Sequence, residues 1–176
     1  GNGTFQSRQL TAVGNAPTAI ATGDFNSDTI MDMAVANRTD NNVRILLGNA
    51  DGTFTPAAGF PPPTGSKPVA MVAVDLNNDG KLDLAVANSG DNTVSVLMGN
   101  GDGTFQVGSS TIVGKRPAAL AWGDFNRDSK PDLAVVNQND PSVSILQGNG
   151  NGAFQVIHSY FTGTGSFPTG VAVGDF

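Results

Sequence analysis

An Asp-rich nonapeptide recurs along this chain at a fixed interval, and that recurrence limits the fold more than any other feature. Its clearest copy is Asp75-Leu76-Asn77-Asn78-Asp79-Gly80-Lys81-Leu82-Asp83, with oxygen-bearing side chains at positions 1, 3, 5 and 9. The same spacing returns at Asp24, Asn26, Asp28 and Asp32, and again at Asp124, Asn126, Asp128 and Asp132. A fourth copy opens at Asp175. The opening Asp residues stand 51, 49 and 51 residues apart, and a Pro at 17, 68, 117 and 168 repeats the same intervals. A Phe at 5, 54, 105 and 154 follows a Gly-Asn-rich turn in each copy. A period of about fifty residues spanning the chain points to stacked, similar units rather than one irregular domain.

Each unit reads as four short strands. The first follows the recurrent Pro and is small and apolar: Thr18–Thr22, Val69–Val74, Ala118–Trp122 and Thr169–Val173. After the Asp loop comes a second strand (Met33–Ala36, Leu84–Ala87, Leu133–Val136), then a polar turn and a third strand (Val43–Leu47, Val94–Met98, Val143–Gln147). Gly-Asn-Gly-Asp-Gly turns supply the positive φ that a hairpin needs before the fourth strand at the recurrent Phe. Pro61-Pro62-Pro63 near the end of one such unit suits an outer edge, where a missing N–H breaks no ladder.

Four antiparallel strands per repeat of this length describe a β-propeller blade, so the expected fold is all-β with about 3.5 repeats. A β-sandwich has no need of a fifty-residue echo, and β-helix repeats are far shorter. The expected division is 1–15 as the last strand of a preceding blade and blades over 16–66, 67–115 and 116–166. Residues 167–176 are then the first strand of a following blade. The chain, opening at Gly1 without Met, reads as a processed or excised part of a longer propeller.

Composition narrows function. Every acidic residue is Asp, a turn former, and Glu, a helix former, is absent. The 39% apolar content is enough for a core, which excludes a disordered polymer. A net charge of −6 argues against nucleic acid as partner. The longest apolar run, Val69–Val74, is too short for membrane insertion. Zero Cys removes disulfides, thiol catalysis and thiolate-bound zinc. With one His and most Asp residues committed to the loops, no catalytic constellation is visible, and the chain is not expected to be an enzyme.

Hard cations such as Ca²⁺ take six to eight oxygens, which alternate residues of a tight loop can supply. Three Ca²⁺ would add +6 to the net charge of −6, bringing it to zero. An EF-hand is excluded, because its position-12 Glu is replaced by Val35, Val86 and Val135 within strands. Plain Asp-rich turns are the simpler reading of the same residues.

The blocks Gly23-Asp24-Phe25-Asn26-Ser27-Asp28 through Asp32-Met33-Ala34-Val35-Ala36-Asn37, with their counterparts from Asp75 and Asp124, resemble the FG-GAP/VCBS repeat family. That family includes the calcium-loop propellers of integrin α-subunits and of bacterial surface proteins. The resemblance implies about three structural Ca²⁺ per chain, held by the four side chains of each loop and by the position-7 carbonyls of Ile30, Lys81 and Lys130. Two departures weaken the match: Thr29 and Ser129 stand where Gly80 supplies the preferred glycine, and Gly-Ala-Pro survives only as Asn15-Ala16-Pro17. Integrin-type insertions are absent, so integrin ligand recognition does not transfer.

The resemblance implies a calcium-stabilised, non-catalytic adhesion module of a secreted or surface-anchored bacterial protein, with carbohydrate or protein as ligand. The competing reading is structural: open terminal blades that join copies into a homo-oligomer or fibre, which a mass measurement in solution would reveal. A repeat segment with no ligand of its own is the third. Asp40, Asp91 and Asp140, with Arg38, Asn88, Asn137 and the fourth-to-first connections, offer a ligand surface on the face opposite the Asp loops; solvated hairpin tips are the simpler account. Trp122 suits either sugar stacking or space-filling between blades, and His158 and Tyr160 fall on an outer strand.

Overall fold

The computed structural model describes residues 10–174, and they form twelve strands without a helix. β1 (Pro17–Gly23), β2 (Asp32–Asn37), β3 (Asn42–Gly48) and β4 (Phe54–Pro56) make the first antiparallel sheet, in that order. β5 (Pro68–Val74), β6 (Asp83–Asn88), β7 (Thr93–Gly99) and β8 (Phe105–Ile112) make the second. β9 (Pro117–Gly123), β10 (Asp132–Asn137), β11 (Ser142–Gly148) and β12 (Phe154–Phe161) make the third. The inner strands β1, β5 and β9 are neighbours, so the sheets stack face to face as propeller blades.

What sets this packing is alternation along the second strand of each blade. Successive strand residues point to opposite faces. On β6, Leu84 and Val86 enter a core shared with the first blade, while Ala85 and Ala87 enter a core shared with the third. Ala34 and Ala36 of β2 meet Leu84 and Val86 in the first core, and Leu133 and Val135 of β10 meet Ala85 and Ala87 in the second. Each interface therefore matches small residues of one blade with large residues of the next, which lets short sheets interdigitate.

The recurrent Pro residues head the inner strands rather than precede them, and the ladder shifts register beside Pro17, Pro68 and Pro117. A residue without an N–H cannot make the ladder bond there. Just before each Pro, Ala16, Lys67 and Arg116 hold φ of 53°, 56° and 55°. Asn41 Oδ1 accepts the Lys67 N–H at 2.8 Å, and Asn92 Oδ1 accepts that of Arg116 at 2.7 Å. The hairpin tip of one blade thereby fixes the entry to the next.

The fourth strands differ most. β8 and β12 run for eight residues, whereas β4 stops after three at Pro56. The chain then returns through the Pro run, where Pro62 O accepts the Val43 N–H at 3.0 Å. The expected strand at Thr169–Val173 is in no ladder among the described residues. That segment packs against the third blade, with Val173 beside Gly123. Residues 10–15 are likewise in no strand, and the rest of the expected strand over 1–15 falls outside the described residues.

Candidate cation loops and the opposite face

All three Asp loops join the first and second strands of a blade and fold identically. In the first, Asp24 Oδ1 and Oδ2 accept the N–H of Asp28 and Thr29 at 3.1 and 2.8 Å. Asn26 Oδ1 accepts the Asp28 N–H at 3.2 Å, and Asp28 Oδ1 accepts that of Ile30 at 2.8 Å. The second loop repeats this with Asp75, Asn77 and Asp79, whose acceptors take the N–H of Asp79, Gly80 and Lys81. The third does so with Asp124, Asn126 and Asp128. The side chains of positions 1, 3 and 5 are thus turned toward the loop's own backbone, as Asx-turn chemistry favours.

Position 9 is different. Asp32, Asp83 and Asp132 are buried, and each carboxylate bridges two distant amides. Asp83 Oδ2 accepts the Leu76 N–H at 2.9 Å and Oδ1 accepts the Gly99 N–H at 2.8 Å. Asp32 joins Phe25 to Gly48, and Asp132 joins Phe125 to Gly148. Spacing alone marks these residues as ligands; the structure gives them a second task, tying the Asp loop to the end of the third strand. Gly48, Gly99 and Gly148 complete the tie, and their place sixteen residues after each Asp is a regularity the motif reading passes over.

Burial pushes the Asp83 carboxyl above its ordinary range, and the charges of Asp79 and Asp75 push the same way against the two amide bonds that oppose them. Its neutral form is therefore favoured more in the fold than in the unfolded chain. The associated stability is complete below the ordinary carboxylate pKa and is lost as pH rises through the raised one. The Lys81 amide, followed by the Asn77 side chain, holds the exposed Asp79 below the usual range.

The donors are hard oxygens, and each carboxylate oxygen that accepts one amide keeps a second lone pair. The chemistry of the loops therefore suits a hard cation. Among the described residues, however, no three acidic groups converge closely enough to form a preassembled cage. The Ile30, Lys81 and Lys130 residues stand in their loops at position 7, each donating its N–H to the position-5 Asp. A single ion pair, Lys130 Nζ to Asp128 Oδ2 at 3.9 Å, decorates the third loop among the described residues. Being exposed, it adds little stability.

Backbone geometry bears on the glycine departures. Thr29 and Ser129 take φ of 70° and 63°, the conformation that Gly80 takes at 82°. Left-handed backbone disfavours a residue with a Cβ by about 1–2 kcal/mol. T29G and S129G are accordingly expected to raise stability by about 1 kcal/mol each, read as a shift of the urea midpoint at unchanged slope.

On the opposite face, several expected ligand candidates turn out to be structural. Asn37, Asn88 and Asn137 are buried at the ends of β2, β6 and β10, so Asn88 and Asn137 do not line a ligand surface. Asn88 Nδ2 donates to Ser95 Oγ at 2.9 Å, and Asn137 Nδ2 donates to Ser144 Oγ at the same distance. Asp40 accepts both the N–H and the Nδ2–H of Asn15 at 2.8 Å, and the Asn15 side chain holds its carboxyl below the usual range. Asp91 accepts the Ser66 N–H. Trp122 is 48% exposed and belongs to neither core, so it does not fill space between blades. His158 and Tyr160 lie on β12 with ring centroids 5.7 Å apart, Tyr160 being exposed.

What sequence reading missed on this face is a basic cleft. Thr18, Arg38, Val69, Ser89, Arg116, Pro117, Ala118 and Gln138 line an opening of about 240 Å³ at the entry ends of the three inner strands. Arg38, Ser89 and Gln138 hold the same position in successive repeats.

Among curated proteins none matches the chain. Solved structures show the fold. A functionally unknown protein from Desulfotomaculum acetoxidans DSM 771 superposes with a TM-score of 0.64 at 16% identity, covering 82% of this chain and 42% of the other. A Lactobacillus plantarum protein gives 0.64 at 15% identity, covering 88% and 44%. BBS1N, solved in complex with ARL6DN, gives 0.64 at 15%, covering 92% and 48%. The chain spans less than half the length of these structures. The model of the FG-GAP-like repeat matches residues 24–86, 75–135 and 124–176. These three consecutive matches cover both the loops and the strands between them, and the chain belongs to the FG-GAP-like repeat family.

Proposed function

We propose that this chain is a calcium-stabilised, non-catalytic binding module of a secreted or surface-anchored bacterial protein, with carbohydrate or protein as its ligand. The observation that carries the reading is threefold repetition: three loops with one donor set and one hydrogen-bond pattern join blades of one design. Each Ca²⁺ would be held by the residues at positions 1, 3, 5 and 9, with Ile30, Lys81 and Lys130 offering carbonyls. Bound there, the ion neutralises clustered carboxylates and stiffens the joint between first and second strands. The rest of the molecule supports binding rather than chemistry. Its single His sits on an outer strand, and its buried Asp residues are engaged with backbone amides.

Chelator-stripped protein titrated with Ca²⁺ by calorimetry tests the cation. The expected result is about three ions per chain with affinities of about 10⁻⁴–10⁻³ M. At a hundredfold excess over Kd, each site adds about 2.7 kcal/mol of stability, seen as a rising melting temperature. A titration without heat and without a melting shift removes calcium from the reading. An array of immobilised glycans and matrix proteins, probed in Ca²⁺ and in chelator, tests the binding role. Silence across the array by folded, calcium-loaded protein overturns it.

A further inference from the structure

The basic residues of this acidic chain are unevenly placed. Arg38, Lys67, Lys115 and Arg116, four of its nine cations, cluster where the inner strands begin, on the face opposite the Asp loops. Arg38 and Arg116 line one cleft, and Arg38 and Lys67 line the opening beside it. Among the described residues none of these four cations has a carboxylate within ion-pair distance. Two acids of the hairpin tips on this face are already occupied: Asp40 holds Asn15, and Asp91 holds the Ser66 amide. The main chain carrying the charges is fixed, since Asn41 and Asn92 grip the amides of Lys67 and Arg116 and Ala16 O accepts that of Arg38. A cationic site is therefore held open on a protein whose net charge is −6.

The remaining lining distinguishes among anions. Thr18 Oγ1 donates to Pro68 O at 2.8 Å, and Ser89 Oγ donates to Lys67 O at 3.0 Å. With their protons engaged, these hydroxyls offer acceptor lone pairs to the cleft. Gln138 adds an amide able to give and receive, and Val69, Pro117 and Ala118 add short apolar surface. A ligand that satisfies all of this carries an oxyanion for the guanidinium forks, O–H donors for the hydroxyl oxygens, and C–H faces for the apolar floor. An Asp or Glu residue supplies the oxyanion, a short methylene surface and one backbone N–H, but no set of O–H groups. At about 240 Å³ the opening is smaller than the roughly 300–1,000 Å³ of pockets that enclose whole ligands, so it takes one unit of a longer chain.

We infer that this cleft binds a uronate unit of an acidic polysaccharide, its carboxylate between Arg38 and Arg116 and its hydroxyls toward Thr18, Ser89 and Gln138. The assignment deepens the binding role proposed above and rests on it, naming the ligand class and the site.

Calorimetry with trigalacturonate on the calcium-loaded chain tests it, beside fully methyl-esterified trigalacturonate and an oligoglutamate peptide. Trigalacturonate is expected to bind, and to weaken as salt is raised. R38A and R116A are each expected to weaken it about tenfold or more, as loss of a charge-assisted pair implies. Both variants keep the backbone bonds described, and Ala16 already occupies the position of Arg116 in the first blade, so unchanged melting is expected. Q138A, which leaves both charges in place, is expected to weaken binding less. Absence of trigalacturonate binding, or binding unaffected by R38A and R116A, overturns the site. Equal binding of the methyl ester overturns the anionic assignment while leaving a carbohydrate-binding module standing. Arginine-dependent binding of oligoglutamate alone replaces the sugar with an acidic peptide.

Discussion

D83A is expected to destabilise the chain by about 2–6 kcal/mol, a large share of the roughly 5–15 kcal/mol that holds a typical domain folded. The carboxylate is buried and takes two backbone amides, those of Leu76 and Gly99. Removing it leaves both buried N–H groups without an acceptor, and each orphaned group costs about 1–3 kcal/mol. D83N separates hydrogen bonding from charge. Its amide oxygen can serve one N–H, but its NH₂ faces the other, so about half the loss is expected. Urea unfolding followed by circular dichroism, in chelator, reads both variants without a cation contribution. A loss below 1 kcal/mol for D83A in chelator would show that the amide bridge is dispensable and that Asp83 matters only as a metal ligand.

Comparable damage is expected from G99A, for a steric reason. A Cβ on Gly99 would stand 2.2 Å from the carbonyl oxygen of Leu82, and the equivalents at Gly48 and Gly148 would meet Met31 O and Pro131 O at 2.4 and 2.1 Å. A backbone oxygen cannot step aside as a flexible side chain does. The Gly99 N–H also donates to Asp83, so displacing the strand lengthens that bond as well. Strain and loss of the tie together are expected to remove about 3 kcal/mol or more, within the range of severe core substitutions. G80A is the informative control: open space surrounds that Cβ, so only its left-handed backbone counts, at about 1 kcal/mol. Equal losses at the two sites would refute the close-approach argument.

The three blades were legible because Asp, Pro and Phe recur at one interval, whereas the size alternation of Leu-Ala-Val-Ala along a strand gains its meaning only once the blades are stacked. The Gly closing each third strand reads as the start of a turn, since nothing along the chain announces a carbonyl crossing from the Asp loop. Asn37, Asn88 and Asn137 read as polar turn residues because an Asn that ends a strand usually faces water; only the fold reveals Gly14, Gly65 and Gly114 closing over them. The dual task of Asp83 escapes a spacing argument for the same reason, as a side chain nine residues into a loop can turn to an ion or to an amide. The cleft is the least legible of all. Its residues lie about fifty positions apart, one of its two cations, Arg116, sits beside a proline that starts a strand, and stacking of the blades alone brings them together.

Phe25 and Leu76 open a last consequence. Both sit at position 2 of their own Asp loop, yet each is covered by the following blade, Phe25 edge-on against Phe105 and Leu76 near Phe154. The carbonyls of Phe25 and Leu76 accept N–H bonds from Gly103 and Gly152 of that next blade. Phe125, their counterpart, is 41% exposed, against 2% and 1% for the other two. The sequence repeat and the cooperative unit are therefore out of phase: what melts together is one blade's loop with its successor's last hairpin. Such an array behaves as a row of nearest-neighbour couplings, so each loop opens together with the hairpin of the blade that covers it. A cation bound in one loop, as proposed, would then act as a clasp between two repeats as well as stiffening its own.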